Sequence, residues 1–124
     1  MQEYSNEELD ALALQIGCIV RVERLRNGLS QENLGLLIGS NKTTIGRIER
    51  YENSTSWKIL LQICQSLKIE YNSLFVLQPL PFILSIIRES YSLEEKLTAE
   101  KEKFYMNLEF EAKEKFKNQN KRKS

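Results

Sequence analysis

Residues 29–50 read LSQENLGLLIGSNKTTIGRIER, and the organisation of the chain is built around them. Ser30 is a good helix N-cap, and the short helix that follows it, QENLGLLI, stops at Gly39. Asn41 caps a second helix, KTTIGRIERY, over residues 42–51. On a helical wheel turning about 100° per residue, Ile45, Ile48 and Glu49 fall on one side, with Thr43, Gly46, Arg47 and Arg50 opposite. One face is apolar except for a single acid; the other is polar and basic. Two short helices joined by a tight turn, the second with a basic outer face, describe a helix-turn-helix. Gly35 fits that geometry, because helices that cross steeply at close range leave no space for a larger side chain.

Outward from this unit the apolar residues recur at three and four and not at two, so the chain reads as all-α. Upstream, Ser5 and Glu8 form a capping box, opening a helix that runs to about Asn27 and stops at Gly28. Its apolar stripe is Leu9, Leu12, Ala13, Ile16 and Val20, with Arg24 at the edge. Arg24 matters because Glu49, a carboxylate on the apolar side of its helix, needs a partner once it leaves water. Periodicity suggests that pairing without forcing it, since Glu23 is an alternative local partner for Arg24. Downstream, Ser56 caps a fourth helix, WKILLQICQSLK, and a short fifth spans residues 71–77.

Composition narrows the function. A chain of 124 residues has room for about one domain. It contains no histidine, which removes the commonest general base and the commonest metal ligand together. Cys18 and Cys64 lack the paired spacing of a zinc site or a disulfide framework. No enzymatic activity, catalytic residue, metal or cofactor is therefore expected. The N-terminal MQEYSNEELD is acidic and has no apolar core of the secretory kind. Residues 74–87, the most apolar stretch, are interrupted by Gln78, Pro79 and Pro81 and fall short of the roughly 18 residues a membrane span needs. A cytoplasmic protein with no membrane partner is the expectation. The net charge of +1 is spread unevenly. Residues 20–58 hold seven cations against four acids, and residues 117–124 hold four cations and no acid, a distribution that suits a polyanionic partner.

With those residues in place, the run from 16 to 75 resembles the Cro/repressor-type helix-turn-helix family, also called the XRE family. The resemblance rests on Arg24, GLSQ at 28–31, NLGLLIG at 33–39, TTIGRIE at 43–49, LLQICQSL at 60–67 and SLF at 73–75. It implies a five-helix, lambda-repressor-like domain whose second and third helices read double-stranded DNA. It further implies that Lys42, Thr43 and Arg47 reach base edges and that Gln31, Thr44 and Arg50 contact phosphate. It places the family's structural salt bridge on Arg24 and Glu49, favouring that pairing over Glu23. The chemistry suits these roles: arginine and lysine reach guanine O6 and N7, and threonine can touch a thymine methyl. Three positions depart from the family pattern, namely Ser40 in the turn, Tyr51 where a glycine ends the third helix, and Thr55 where a proline precedes the fourth.

The C-terminal third lies outside the resemblance. An apolar stretch, FILSIIRESY, follows the prolines, and Ser92 with Glu95 forms another capping box, opening a charged helix that reaches about Lys117. Leu93, Leu97, Phe104, Leu108, Ala112 and Phe116 make an approximate apolar stripe, with Tyr105 and Phe110 off it. The spacing is not a strict heptad, and self-association is its expected use. The expected organisation is thus a DNA-binding domain over 1–78, a dimerising helical segment over 79–118 and a disordered basic tail over 119–124. The expected function is a homodimeric, sequence-specific repressor of transcription acting on a two-fold symmetric operator. Two alternatives are an antitoxin, whose C-terminal helix grips a protein partner while its DNA binding is autoregulatory, and a protein-interaction module that has lost DNA binding.

Overall fold

The structure, a computed structural model, describes residues 3–52 and 55–122. Its elements are α1 (Asn6–Arg26), α2 (Gln31–Leu37), α3 (Lys42–Glu49), α4 (Trp57–Leu67), a 3-10 turn (Tyr71–Phe75), α5 (Leu80–Leu93) and α6 (Ala99–Arg122). The fold is all-α, a helix-turn-helix followed by C-terminal helices. Each early helix starts where a short polar side chain can satisfy its free backbone N–H groups. Ser5 accepts from Glu8 N while Glu8 accepts from Ser5 N, closing the capping box. Ser30, Asn41 and Ser56 cap α2, α3 and α4 in turn. The expected fifth helix is the 3-10 turn, capped by Glu70.

Helix α1 is the centre of the molecule because it is buried on two sides. Val20 joins Leu34, Ile38, Ile45, Ile48, Ile63 and Leu67 in one apolar cluster, beneath α2, α3 and α4. Ala11, Leu14, Cys18 and Val22 join a second, with Ile83, Ile86 and Ile87 of α5 and Tyr105, Leu108, Ala112 and Phe116 of α6. The single stripe drawn from the sequence is corrected accordingly. Leu9 and Ala13 are exposed, and the face centred on Leu14 and Cys18 is covered. At Gly17 the backbones of α1 and α3 nearly touch: a Cβ there would lie 2.7 Å from the carbonyl oxygen of Ile48. Gln15, fully buried between the clusters, donates to the carbonyls of Leu74 and Val76 and accepts from Gln78 N. It fastens the chain where the helix-turn-helix passes into α5.

The C-terminal third departs most from expectation. Ser92 lies in the last turn of α5, its hydroxyl donating to the carbonyl of Glu89, so it caps nothing. Helix α6 begins six residues later than a cap at Ser92 implies, at Ala99, where the Thr98 hydroxyl accepts from Lys101 N. The short connection makes α5 and α6 neighbours, and the apolar stripe is spent inside the chain. Leu108, Ala112 and Phe116 are buried against α1 and α5, while Leu93 and Leu97 precede α6 and stay exposed. The expected use of this stripe in self-association is therefore corrected: α1 and α5 already cover it. Helix α6 also continues to Arg122, so residues 119–122 of the expected disordered tail are helical, and 123 and 124 lie outside the described residues. Nothing after Phe116 is glycine or proline, and cations suit a helix C-terminus.

Candidate nucleic-acid interface

Helices α2 and α3 meet at a close crossing. A Cβ on Gly35 would lie 2.6 Å from the carbonyl carbon of Asn41, so only glycine fits. Asn41 then starts α3 by accepting from Thr44 N at 2.9 Å, and the Thr44 hydroxyl donates to the same oxygen at 3.2 Å. The inner face of α3 is set by burial of Ile45, Ile48 and Glu49. Its outer face presents Lys42, Thr43, Arg47 and Arg50, all exposed, with Thr44 half-buried at the margin. Among the described residues neither Lys42 nor Arg47 has an ion-pair partner, whereas Arg50 pairs with Glu52. The Arg50 guanidinium lies over Gly46, where a Cβ would come within 2.9 Å of it.

Beneath this surface lies a buried charge cluster. Glu49 accepts from Arg24 Nε at 2.6 Å, from Arg24 Nη2 at 3.0 Å and from Gln31 Nε2 at 3.0 Å. Arg24 also donates to the carbonyl of Leu29 at 2.7 Å, closing the loop after α1. Burial alone pulls the Arg24 pKa down, but the hydrogen bond and charge of Glu49 outweigh it, and the guanidinium titrates above its ordinary value. Glu23 pairs with Arg26 instead, which in turn holds Glu89 of α5 at 2.5 Å and 2.6 Å. The Gln31 amide braces Glu49 from a half-buried position at the start of α2.

Two features escaped the sequence reading. Arg21 is buried beside Glu49, with Nη2 3.6 Å from Oε1. The available signal was its place three residues before Arg24, on the same side of α1. Helix α2 also exposes Leu36 and Leu37, at 70% and 62%, beside a shallow groove completed by Leu29 and Asn33. Tyr51, where the family pattern has glycine, takes a left-handed φ of 47°. Nothing among the described residues gathers three or more metal-ligating side chains, and no helix there is long and apolar enough to cross a membrane.

The geometry defines a helix-turn-helix: a capped, two-turn helix with a basic exposed face, held from behind by a buried ion pair. A family model described as helix-turn-helix matches residues 20–74. Those residues form a helix-turn-helix domain of the Cro/repressor (XRE) type. The family is one of regulatory domains, not of enzymes. Neither the curated proteins nor the solved structures give a match to this chain.

Proposed function

We propose that the chain is a cytoplasmic transcriptional repressor that binds a two-fold symmetric operator as a homodimer, with α3 of each copy in a major groove. The observation that carries this reading is the exposure of Lys42, Thr43 and Arg47 together on the face of α3 opposite its buried side. Arg47, with no acid holding it among the described residues, is available for a bidentate contact to guanine. Lys42 reaches the same acceptors or a phosphate, and Thr43 a thymine methyl. Gln31, Thr44 and Arg50 contact phosphates, Arg50 by giving up its exposed pair with Glu52, which costs little in water. Half-sites then lie about 34 Å apart, or a multiple of that. Because the α6 stripe is spent within the chain, the second copy meets another surface.

The test is selection of bound duplexes from a random DNA pool, with the protein's mass in solution recorded alongside. Arg47→Ala is expected to lose about 1–3 kcal/mol on the selected duplex and to relax preference at one base pair per half-site. Arg50→Ala is expected to weaken all duplexes alike and to lower the salt slope by about one per protomer. Uniform losses from both changes would refute Arg47 as a base reader. No effect from either would remove α3 as the reading helix.

A further inference from the structure

Helix α6 lies outside the matched domain, yet two residues tie it to α3. The first is Arg21 of α1. Its side chain is 8% exposed, and Nη2 faces the Glu49 carboxylate at the end of α3. On its other side the guanidinium carbon lies 4.5 Å from the centre of the Phe104 ring and 5.6 Å from that of Tyr105, both on α6. Its Nε is buried with no hydrogen-bond partner among the described residues, so the two rings and the carboxylate are what hold it. The second is Tyr51, two residues beyond α3. A left-handed backbone is costly for an aromatic residue, and here the ring packs against the cluster shared by α1, α5 and α6. The C-terminal end of α3 therefore sits between two attachments that both lead to α6.

We propose that α6 braces the reading helix: through Arg21 and Tyr51 its seating on α1 fixes the pose of α3, so that DNA affinity depends on α6 being in place. The inference rests on α3 as the DNA reader. With eight residues α3 is too short to hold itself, and its pose comes from what it packs against. Arg24 and Gln31 keep Glu49 paired when Arg21 is weakened, so the fold survives while the end of α3 gains freedom to rock. Binding groups need to be held to about 0.5 Å, so a small rotation is enough to spoil a bidentate base contact. Arg21 and Tyr51 are positioning residues in this scheme.

The experiment uses the full chain with four single changes: Arg21→Lys, Phe104→Leu, Tyr51→Gly and Phe104→Tyr. Each is titrated into the duplex that the parent selects from a random DNA pool, at a temperature where melting curves show every variant fully folded. Backbone amide resonances of residues 45–49 are recorded without DNA. The first three are expected to lose affinity about three- to tenfold and to shift those resonances, whereas Phe104→Tyr, which keeps the ring face, behaves as the parent does. Tyr51→Gly is the sharpest arm, because glycine relieves the left-handed backbone. Lost affinity with an undiminished melting temperature is an outcome that a purely stabilising role does not give. Parental affinity in the first three variants overturns the proposal, whatever their melting temperatures. A parent that selects no duplex defeats the DNA reading instead. The resonances then decide the brace, which stands if they move in the first three and falls if they do not.

Discussion

Glu49→Ala is expected to be among the most destabilising single polar changes in the chain. The carboxylate is buried, with its side chain fully inaccessible, and it receives two hydrogen bonds from Arg24 and one from Gln31. Removing it leaves Arg24 with the Leu29 carbonyl alone, a buried cation with no counter-charge. Gln31 is half-buried and finds water, so its loss adds little. Arg21 loses its longer contact to the carboxylate, at 3.6 Å, but keeps its two rings, so its share is smaller. The cost is thus dominated by one stranded guanidinium, about 3–5 kcal/mol. Total stabilities lie at about 5–15 kcal/mol, so this is a large share. At about 3–5 °C per kcal/mol for a chain of this size, the melting temperature falls by about 10–20 °C. Thermal melts followed by circular dichroism, with urea titrations beside them, measure it.

The compensating variant is the stronger part of the test. Arg24→Met with Glu49→Leu removes both charges and recovers much of the loss, because apolar residues of similar volume replace a buried pair at little cost. It does not recover all of it, since Arg21 also loses its carboxylate; adding Arg21→Met is expected to return the remainder. A Glu49→Ala protein that melts within about 2 °C of the parent would refute the reasoning, because so small a shift is under 1 kcal/mol. A double variant as unstable as the single one would show that a stranded cation is not the cause.

Deleting residues 79–124 is expected to strip the cover from Ala11, Leu14, Cys18 and Val22 and leave an aggregating chain without a cooperative melt; a soluble fragment that melts cooperatively would refute this. Stability is expected to fall with alkali. Burial pushes the Cys18 thiol up from 9.0 to about 12, and burial, with the hydrogen bond to Glu94, raises the Tyr105 hydroxyl. For both groups the folded state favours the neutral form. Their contribution is complete below the unfolded pKa and is lost as pH rises toward the folded one. Urea titrations should show a slope approaching about 1.4 kcal/mol per pH unit from Cys18 above about pH 9, joined by Tyr105 above about pH 10, and Cys18→Ala should flatten the first part. An unchanged slope in that variant would assign the loss elsewhere.

The helix-turn-helix was legible because its signals are local. Ser30, Asn41 and Ser56 each bond the backbone three residues on, and Gly35 marks a contact that no other residue permits. Burial of Glu49 could be read from the wheel of α3, although only the family pattern favoured Glu49 over Glu23 as the partner of Arg24. Helix α1 resisted the same method. A wheel finds one stripe, and a helix buried on two sides spreads its apolar residues until the period blurs. At Ser92 a local rule had two outcomes, a cap for the next helix or a bond back to Glu89, and the chain takes the second. The C-terminal stripe was found but given the wrong cover, because periodicity identifies a face and says nothing of what lies on it.

What sets the neighbours of α1 in register is its polar residues. Apolar packing is non-directional, and a hairpin such as α5–α6 could slide along α1 and still bury much the same area. Hydrogen bonds do not allow that. Gln15 fixes residues 74–78, Arg26 fixes Glu89 of α5, and Arg24 fixes both the Leu29 loop and Glu49 of α3. Arg21 faces two other helices at once, α3 through Glu49 and α6 through Phe104 and Tyr105. All four lie on one helix whose backbone holds their spacing rigid. A displacement of α5 or α6 is consequently registered along α1 at the residues that hold the DNA-binding surface. The family match begins at residue 20, so it omits Ala11, Leu14, Gln15 and Cys18. The part of α1 that seats the C-terminal hairpin therefore lies mostly outside the part by which the domain is recognised, although the same helix carries both.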